Sequence, residues 1–384
     1  MRGLAAIVML LGVADAAPKK SDEPAAATFD DPKHSLDAIR AALAAHDHPA
    51  RISWFGDSVT ADDQITHGLR KRLQAQFGDG GPGFVFAAPP HPYCQHRALT
   101  RVVSDEWTVH GISTTIPPDR LLGLGGSTET ESGGTIKLVP ASAVTRVDIH
   151  YLAQPHGGSL ELVADGKSVA KVETAFADKK GMYLFAELPD GAKKLELRAR
   201  GRVRMFGVTL ENATGAVVDN LGVVNATAKA MRNHNMDEHW RNQLAHRAPD
   251  LVVVMYGTNE AEWLAPNGAG MAEHEKIFGE LLATIRLAVP KASCLVVSPL
   301  DQLDWRDESG KLPARESVPA MVEAQHRAAL ANGCAFWDTF AWMGGKGSSA
   351  GWYKRGLIVK DFQHPTSEGA DRIAAAVFAG LTTK

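Results

Sequence analysis

The sequence predicts a three-layer α/β domain interrupted by an antiparallel β-sandwich. Two observations carry this. At both ends of the chain, short unbroken apolar runs alternate with helical patterns, as in a parallel sheet covered on both faces. Between them, over about 102–210, helical period almost disappears and short alternating segments separated by turn residues take over.

The first α/β unit starts with a helical pattern over 35–46, with Leu36, Ile39 and Leu43 on one face. Ile52-Ser53-Trp54-Phe55 reads as a short buried strand. A turn at Gly56-Asp57-Ser58 leads into a second helical pattern, Ile65, Leu69, Leu73 and Phe77, ended by Gly78. The alternation resumes with a strand at 217–221 and a polar helix over 226–246. Leu251-Val252-Val253-Val254-Met255 is the clearest buried strand. Helices at 272–287, 318–331 and 367–381 and strands at 294–298 and 335–337 complete the pattern. In the middle, strands are expected at 135–139, 144–151, 159–163, 169–173, 182–187, 194–199 and 203–210. Asp165-Gly166 and Asp190-Gly191 stand at hairpin positions.

The chain has 384 residues, 45% hydrophobic and 22% charged, with a formal net charge of -3. Nothing in this balance points to nucleic acid or to a membrane surface. Arg2, an apolar run over 4–13 and Ala14-Asp15-Ala16 read as a signal peptide cleaved after Ala16. The run is too short to span a bilayer. Residues 17–34 read as a linker. The expected division is therefore 1–16 signal peptide, 17–34 linker, 35–101 first part of the α/β domain, 102–210 insert and 211–384 second part. Secretion to a periplasm or beyond follows, with no membrane-spanning segment after cleavage.

There are three cysteines, Cys94, Cys294 and Cys334, so one at least is unpaired within the chain. Cys294 and Cys334 fall at the starts of two expected strands, where a bridge and two buried thiols fit equally. No Cys-x-x-Cys spacing supports a zinc or redox motif.

The chemistry-bearing residues fall at strand ends. Ser58 follows the first strand, where parallel sheets place active sites. A helix starting there supplies unpaired amides and a positive dipole for an oxyanion. Asp361 and His364 stand three apart before the last helix. One turn could hold the His364 ring on Asp361 and leave Nε2 to take a proton from Ser58. The plainer reading is a helix-start sequence. Asn259 closes the run Tyr256-Gly257-Thr258-Asn259 after a buried strand and could donate to an oxyanion. Gly222 follows the 217–221 strand, where its amide could approach a substrate. Each of these features alone has an ordinary turn reading.

Taken in order, Gly56-Asp57-Ser58, Gly222, Gly257-Thr258-Asn259 and Asp361-x-x-His364 resemble the four signature blocks of SGNH (GDSL-type) hydrolases. The resemblance implies a three-layer flavodoxin-like hydrolase domain. It implies catalytic Ser58, Asp361 and His364, and an oxyanion hole of Ser58, Gly222 and Asn259. It implies neither cofactor nor metal. Glu260 departs from the Asp common in the family. The segment Phe77-Gly78-Asp79-Gly80-Gly81-Pro82-Gly83-Phe84, after Arg70 and Leu73, further resembles bacterial peptidoglycan O-acetylesterases. Those carry a carbohydrate-binding-like β-domain inserted at the same place. The expected partner is thus an acetylated polysaccharide or peptidoglycan, and the expected reaction is hydrolysis of its O-acetyl esters. An acyltransferase with the same triad, or a glycan-binding protein without activity, are the alternatives.

Several features carry less. Gly347-Ser348-Ser349-Ala350-Gly351 fits a nucleophile elbow, but no buried strand precedes it and no helix is expected after it, so it reads as a flexible loop. Gly123-Leu124-Gly125-Gly126-Ser127 has no lysine and so no phosphate-loop character. His234, His239 and His246 are spaced by five and seven on one polar helix, which reads as solvated. Trp263, Trp305 and Trp352 could stack sugars or simply pack.

Overall fold

The computed structural model describes residues 25–235, 238–304 and 310–383. The expected signal peptide, the start of the linker and Trp305 lie outside the described residues. Five parallel strands, Pro49–Gly56, Gly215–Gly222, Leu251–Met255, Ser293–Val297 and Ala335–Trp337, stand in the order second, first, third, fourth, fifth. This is the flavodoxin-like order, whose crevice opens between the first and third strands.

Alternate strand residues enter two separate cores, as the two-residue period of a strand requires. Trp54, Val253 and Leu295 join the core under the helices Asp37–Ala45, Gln64–Phe77 and Ser367–Thr382. Phe55, Val254 and Val296 join the core under Ala269–Ala288 and Ser317–Ala331. The 226–246 segment expected as one helix is two, Ala228–Asn235 and Glu238–Arg247. Helix Gln64–Phe77 packs on helix Ser367–Thr382, with Leu69, Leu73, Ile373 and Val377 in one cluster. Arg72 clasps Asp371 across that contact with two bonds of 2.8 Å.

The insert forms two antiparallel sheets around a core of its own. Asp165-Gly166 closes the hairpin between Ser159–Ala164 and Lys167–Glu173. Antiparallel pairing starts earlier than the sequence led us to expect. Gly83–Val85 pairs with Val203–Glu211, and Leu99–Val103, Thr108–Gly111 and Gly126–Thr130 are strands as well. The insert also shares a core with the parallel sheet: Phe84, Phe86 and Leu124 cluster with Phe55, Leu221 and Trp240.

A buried ionic joint fastens the two parts. Asp219, on the second parallel strand, has no solvent exposure. It accepts from Ser53 Oγ at 2.7 Å, Phe84 N at 2.7 Å, and Arg247 Nε and Nη2 at 2.8 Å each. Arg247 also reaches Glu211 at the end of the insert, at 2.7 Å, and Arg51 holds the same carboxylate at 2.8 Å. Burial alone would raise the Asp219 pKa, but the Arg247 guanidinium outweighs it and the net shift is downward.

Leu295 pairs with Ala335, which makes Cys294 and Cys334 neighbours on adjacent strands. They are joined in a disulfide, with Cα atoms 4.6 Å apart. Cys94 is a buried free thiol, and burial raises its pKa. In the chain-entropy picture, closing a loop of 40 residues stabilises the fold by about 4 kcal/mol. Alkylation of the denatured, unreduced protein is expected to count one thiol, and three after reduction. Three before reduction would remove the bridge. Among the described residues no helix is long and apolar enough to cross a membrane.

Candidate active site

The first strand ends at Gly56, where any Cβ would meet Thr60 Oγ1 at 2.2 Å and the Met255 carbonyl at 2.8 Å. The chain then turns into the short helix Ser58–Ala61. Asp57 caps it: its carboxylate accepts from Val59 N at 3.0 Å and from Thr258 N at 3.3 Å. Asp57 is fully buried, and burial raises its pKa. One carboxylate therefore fixes both the turn bearing Ser58 and the turn bearing Asn259.

Ser58 Oγ lies 2.7 Å from His364 Nε2. His364 Nδ1 lies 2.9 Å from Asp361 Oδ2. The other Asp361 oxygen accepts the backbone N–H groups of Gln363 at 2.9 Å and His364 at 3.0 Å. Phe362 takes a left-handed φ of 58°, which bends the segment back on itself. This turn precedes the last helix and is separate from its start, because Thr366 is the cap and accepts from Gly369 N at 3.2 Å. Partial burial pushes the Asp361 carboxyl up, but the His364 ring and the two amides outweigh it and hold the group at about 2. The same hydrogen bond raises the His364 pKa above its ordinary value, against the effect of burial.

Three groups were expected at an oxyanion hole. No described residue accepts from the Ser58 N–H, which opens its helix. Asn259 Nδ2 donates to the Ala226 carbonyl at 2.8 Å, which uses one of its two hydrogens. Gly222 is placed differently from expectation. Its amide donates to Asn220 Oδ1 at 3.1 Å, and Ala61 N would stand 2.4 Å from any Cβ there. Gly222 therefore lies pressed beneath the helix that opens at Ser58, and its N–H is spent on a neighbour.

Sequence reasoning missed the structural part of Glu260. Its Oε1 accepts from Ala228 N at 2.7 Å, which caps the helix Ala228–Asn235, and burial pushes its pKa up to about 7. A Glu beside a loop reads as surface, so nothing in the sequence signalled this. Gly347–Gly351 is not a flexible loop: Ser348–Lys354 is a helix, and Ser349 is buried with its Oγ donating to the Asp301 carbonyl at 2.5 Å. The three histidines are not simply solvated. His234 is buried against the Gly123 carbonyl at 3.0 Å, and His246 bonds to Asp148. Trp352 is core, whereas Trp263, four residues after Asn259, is 61% exposed. A cleft of about 550 Å³ opens beside Asp361, walled by Arg315, Tyr353, Lys360 and Phe362.

Residues 191–372 match the GDSL-like lipase/acylhydrolase family. That stretch, a little under half of the chain, is what is similar to the family. The matched stretch holds Asn259, Asp361 and His364, and Ser58 precedes it. Among solved structures, a peptidoglycan O-acetylesterase superposes with a TM-score of 0.73 at 25% identity, covering 90% of this chain and 94% of its own. That coverage takes in the insert as well as the family domain. A lipase/acylhydrolase from Enterococcus faecalis matches over 44% of this chain and 76% of its own, at 15% identity and a TM-score of 0.32. A family two carbohydrate esterase from Clostridium thermocellum covers 72% of this chain and 98% of its own, at 12% identity and a TM-score of 0.31. A search of curated proteins by sequence finds no match.

Proposed function

We propose that this chain is an exported serine O-acetylesterase that removes acetyl groups from peptidoglycan. The observation that carries the reading is the unbroken line from Ser58 Oγ through His364 to Asp361, at 2.7 Å and 2.9 Å. In this reading Ser58 Oγ attacks the acetyl carbonyl as His364 Nε2 takes its proton. His364 then protonates the departing sugar oxygen, leaving an acetyl-enzyme. Water activated by the same ring releases acetate. Asp361 stays ionised and stabilises the imidazolium. The Ser58 amide and the second Asn259 hydrogen receive the oxyanion, each such donor being worth roughly 10²–10³ in rate. Gly222 contributes by close packing. The likeness to a peptidoglycan O-acetylesterase over both domains supports the substrate. The disulfide suits an oxidising compartment.

The test measures acetate released from O-acetylated peptidoglycan, acetylated xylan and acetylated alginate. Peptidoglycan is expected to give the highest kcat/KM; an equal or better rate on xylan or alginate would reassign the substrate. The active form of His364 is neutral, so activity falls as the ring protonates. Because its pKa is raised, the midpoint is expected above the ordinary histidine value of 6.5, with activity lost below it. Asp361→Asn is expected to cut kcat by roughly 10²–10⁴ and to move that midpoint down. A flat profile through this range would exclude His364 as base.

A further inference from the structure

A second cluster of titratable side chains stands where the insert meets the hydrolase helices. Asp148 and His150 are two apart on strand Val144–Ala153, so both leave the same face. That face meets helix Glu238–Arg247, which brings His246. One donor atom from each of the three lies within 4.8 Å of the others.

The donors are prepared for a ligand. His150 is wholly buried, and its Nδ1 bonds to Gln243 Oε1 at 2.8 Å, so Nδ1 carries the proton and Nε2 the lone pair. The hydrogen-bond neighbour of Nε2 is the Thr209 hydroxyl, at a long 3.5 Å. Asp148 Oδ2 contacts His246 Nε2 at 2.5 Å, while Asp148 Oδ1 is buried with no hydrogen-bond partner. Tyr183 stacks on the His246 ring, centroids 3.3 Å apart, and sets its plane.

We propose that Asp148, His150 and His246 bind a divalent cation of the zinc class that fastens the β-insert to the hydrolase domain. Two imidazoles and a carboxylate suit zinc, and three protein ligands leave a position for water. Bonds of about 2.0–2.2 Å at tetrahedral angles set neighbouring donors about 3.3 Å apart. The 2.5 Å contact therefore opens and the widest gap closes, which side-chain rotation supplies. Gln243 is the outer partner that orients a ligating histidine. The cleft at this point holds about 100 Å³, room for an ion and its water. Arg51 and Arg247 also line it, but both are paired with carboxylates. Arg146 lines it too, and its charge lowers the affinity.

The experiment uses the full chain without a histidine tag, stripped with a chelator, dialysed and titrated with zinc chloride. Metal content and the thermal melt are read. The stripped protein is expected to take up one zinc per chain and to melt at a higher temperature with zinc than without. Hydrolysis of 4-nitrophenyl acetate should be the same in both states, since the cluster lies outside the acyl chemistry. Asp148→Asn and His246→Gln keep polar shape at their sites and are each expected to weaken zinc uptake tenfold or more and to lose the rise in melting temperature. Near-UV circular dichroism identifies the variants that are folded, and one folded variant is enough. Failure of the stripped wild type to take up zinc would overturn the proposal, as would uptake equal to that of a folded variant.

Discussion

Ser58→Ala is expected to lower ester hydrolysis by about 10⁴-fold or more while leaving the thermal melt near that of the wild type. The side chain removed is small and partly exposed, so little packing is lost. What disappears is the only oxygen set 2.7 Å from His364 Nε2 among the described residues. A sulfonyl fluoride should modify the wild type at Ser58 and leave the variant unmodified, because such reagents trap a hydroxyl activated by a base. Peptide mapping distinguishes the competing site. Ser349 lies in a Gly-x-Ser-x-Gly sequence, yet it is buried and its hydroxyl is engaged by the Asp301 carbonyl. A label on Ser349, or a Ser58→Ala variant with undiminished activity, would overturn the mechanism.

Arg247→Ala is expected to be the most damaging change outside the active site. The guanidinium is buried between Asp219 and Glu211, both nearly inaccessible. Removing it strands the Asp219 carboxylate in a low-dielectric interior and leaves Glu211 with Arg51 alone, which costs about 3–5 kcal/mol. For a chain of this size that corresponds to a fall in Tm of roughly 4–6 °C. A further sign is specific to this site. Asp219 has a depressed pKa in the folded state, so its contribution is present above the unfolded carboxylate value and lost as pH falls through the lower, folded one. Wild-type and variant stabilities should therefore converge as the medium is acidified below about pH 4. Thermal melts across pH measure this. A difference that stayed constant into acid would mean that Arg247 acts through packing alone.

Charge was the main reason that parts of this protein were illegible in its sequence. Arg247, Asp219, Glu211 and Glu260 look like surface residues until the fold brings their partners together from distant segments. The strand Gly126–Thr130 was hidden for a related cause: its residues, Gly-Ser-Thr-Glu-Thr, are polar and nearly all buried, so no apolar alternation marks it. Where apolar runs are continuous, as in Leu251–Met255 and Ala335–Trp337, strand bounds were readable to the residue. The positions of Ser58, Asp361 and His364 were readable because each rests on a local turn beside a strong periodic element. The disposition of Gly222 was not, since a side-chain choice two residues away, Asn220, decides where its amide points.

The span between Ser58 and His364, 306 residues, has a consequence for the timing of activity. On the proposed mechanism, a chain made from its N-terminus carries its nucleophile, Ser58, well before it gains its base, His364. At about 5–20 residues per second, the interval is about 15–60 s. His364 then reaches Ser58 only when helix Ser367–Thr382 settles against helix Gln64–Phe77 and Asp371 meets Arg72. If Ser58 and His364 act as proposed, the nascent polypeptide should not cleave an ester until that docking, however well its N-terminal half has folded. On the proposed mechanism, the docking of helix Ser367–Thr382 is thus the step that completes the line from Ser58 to Asp361.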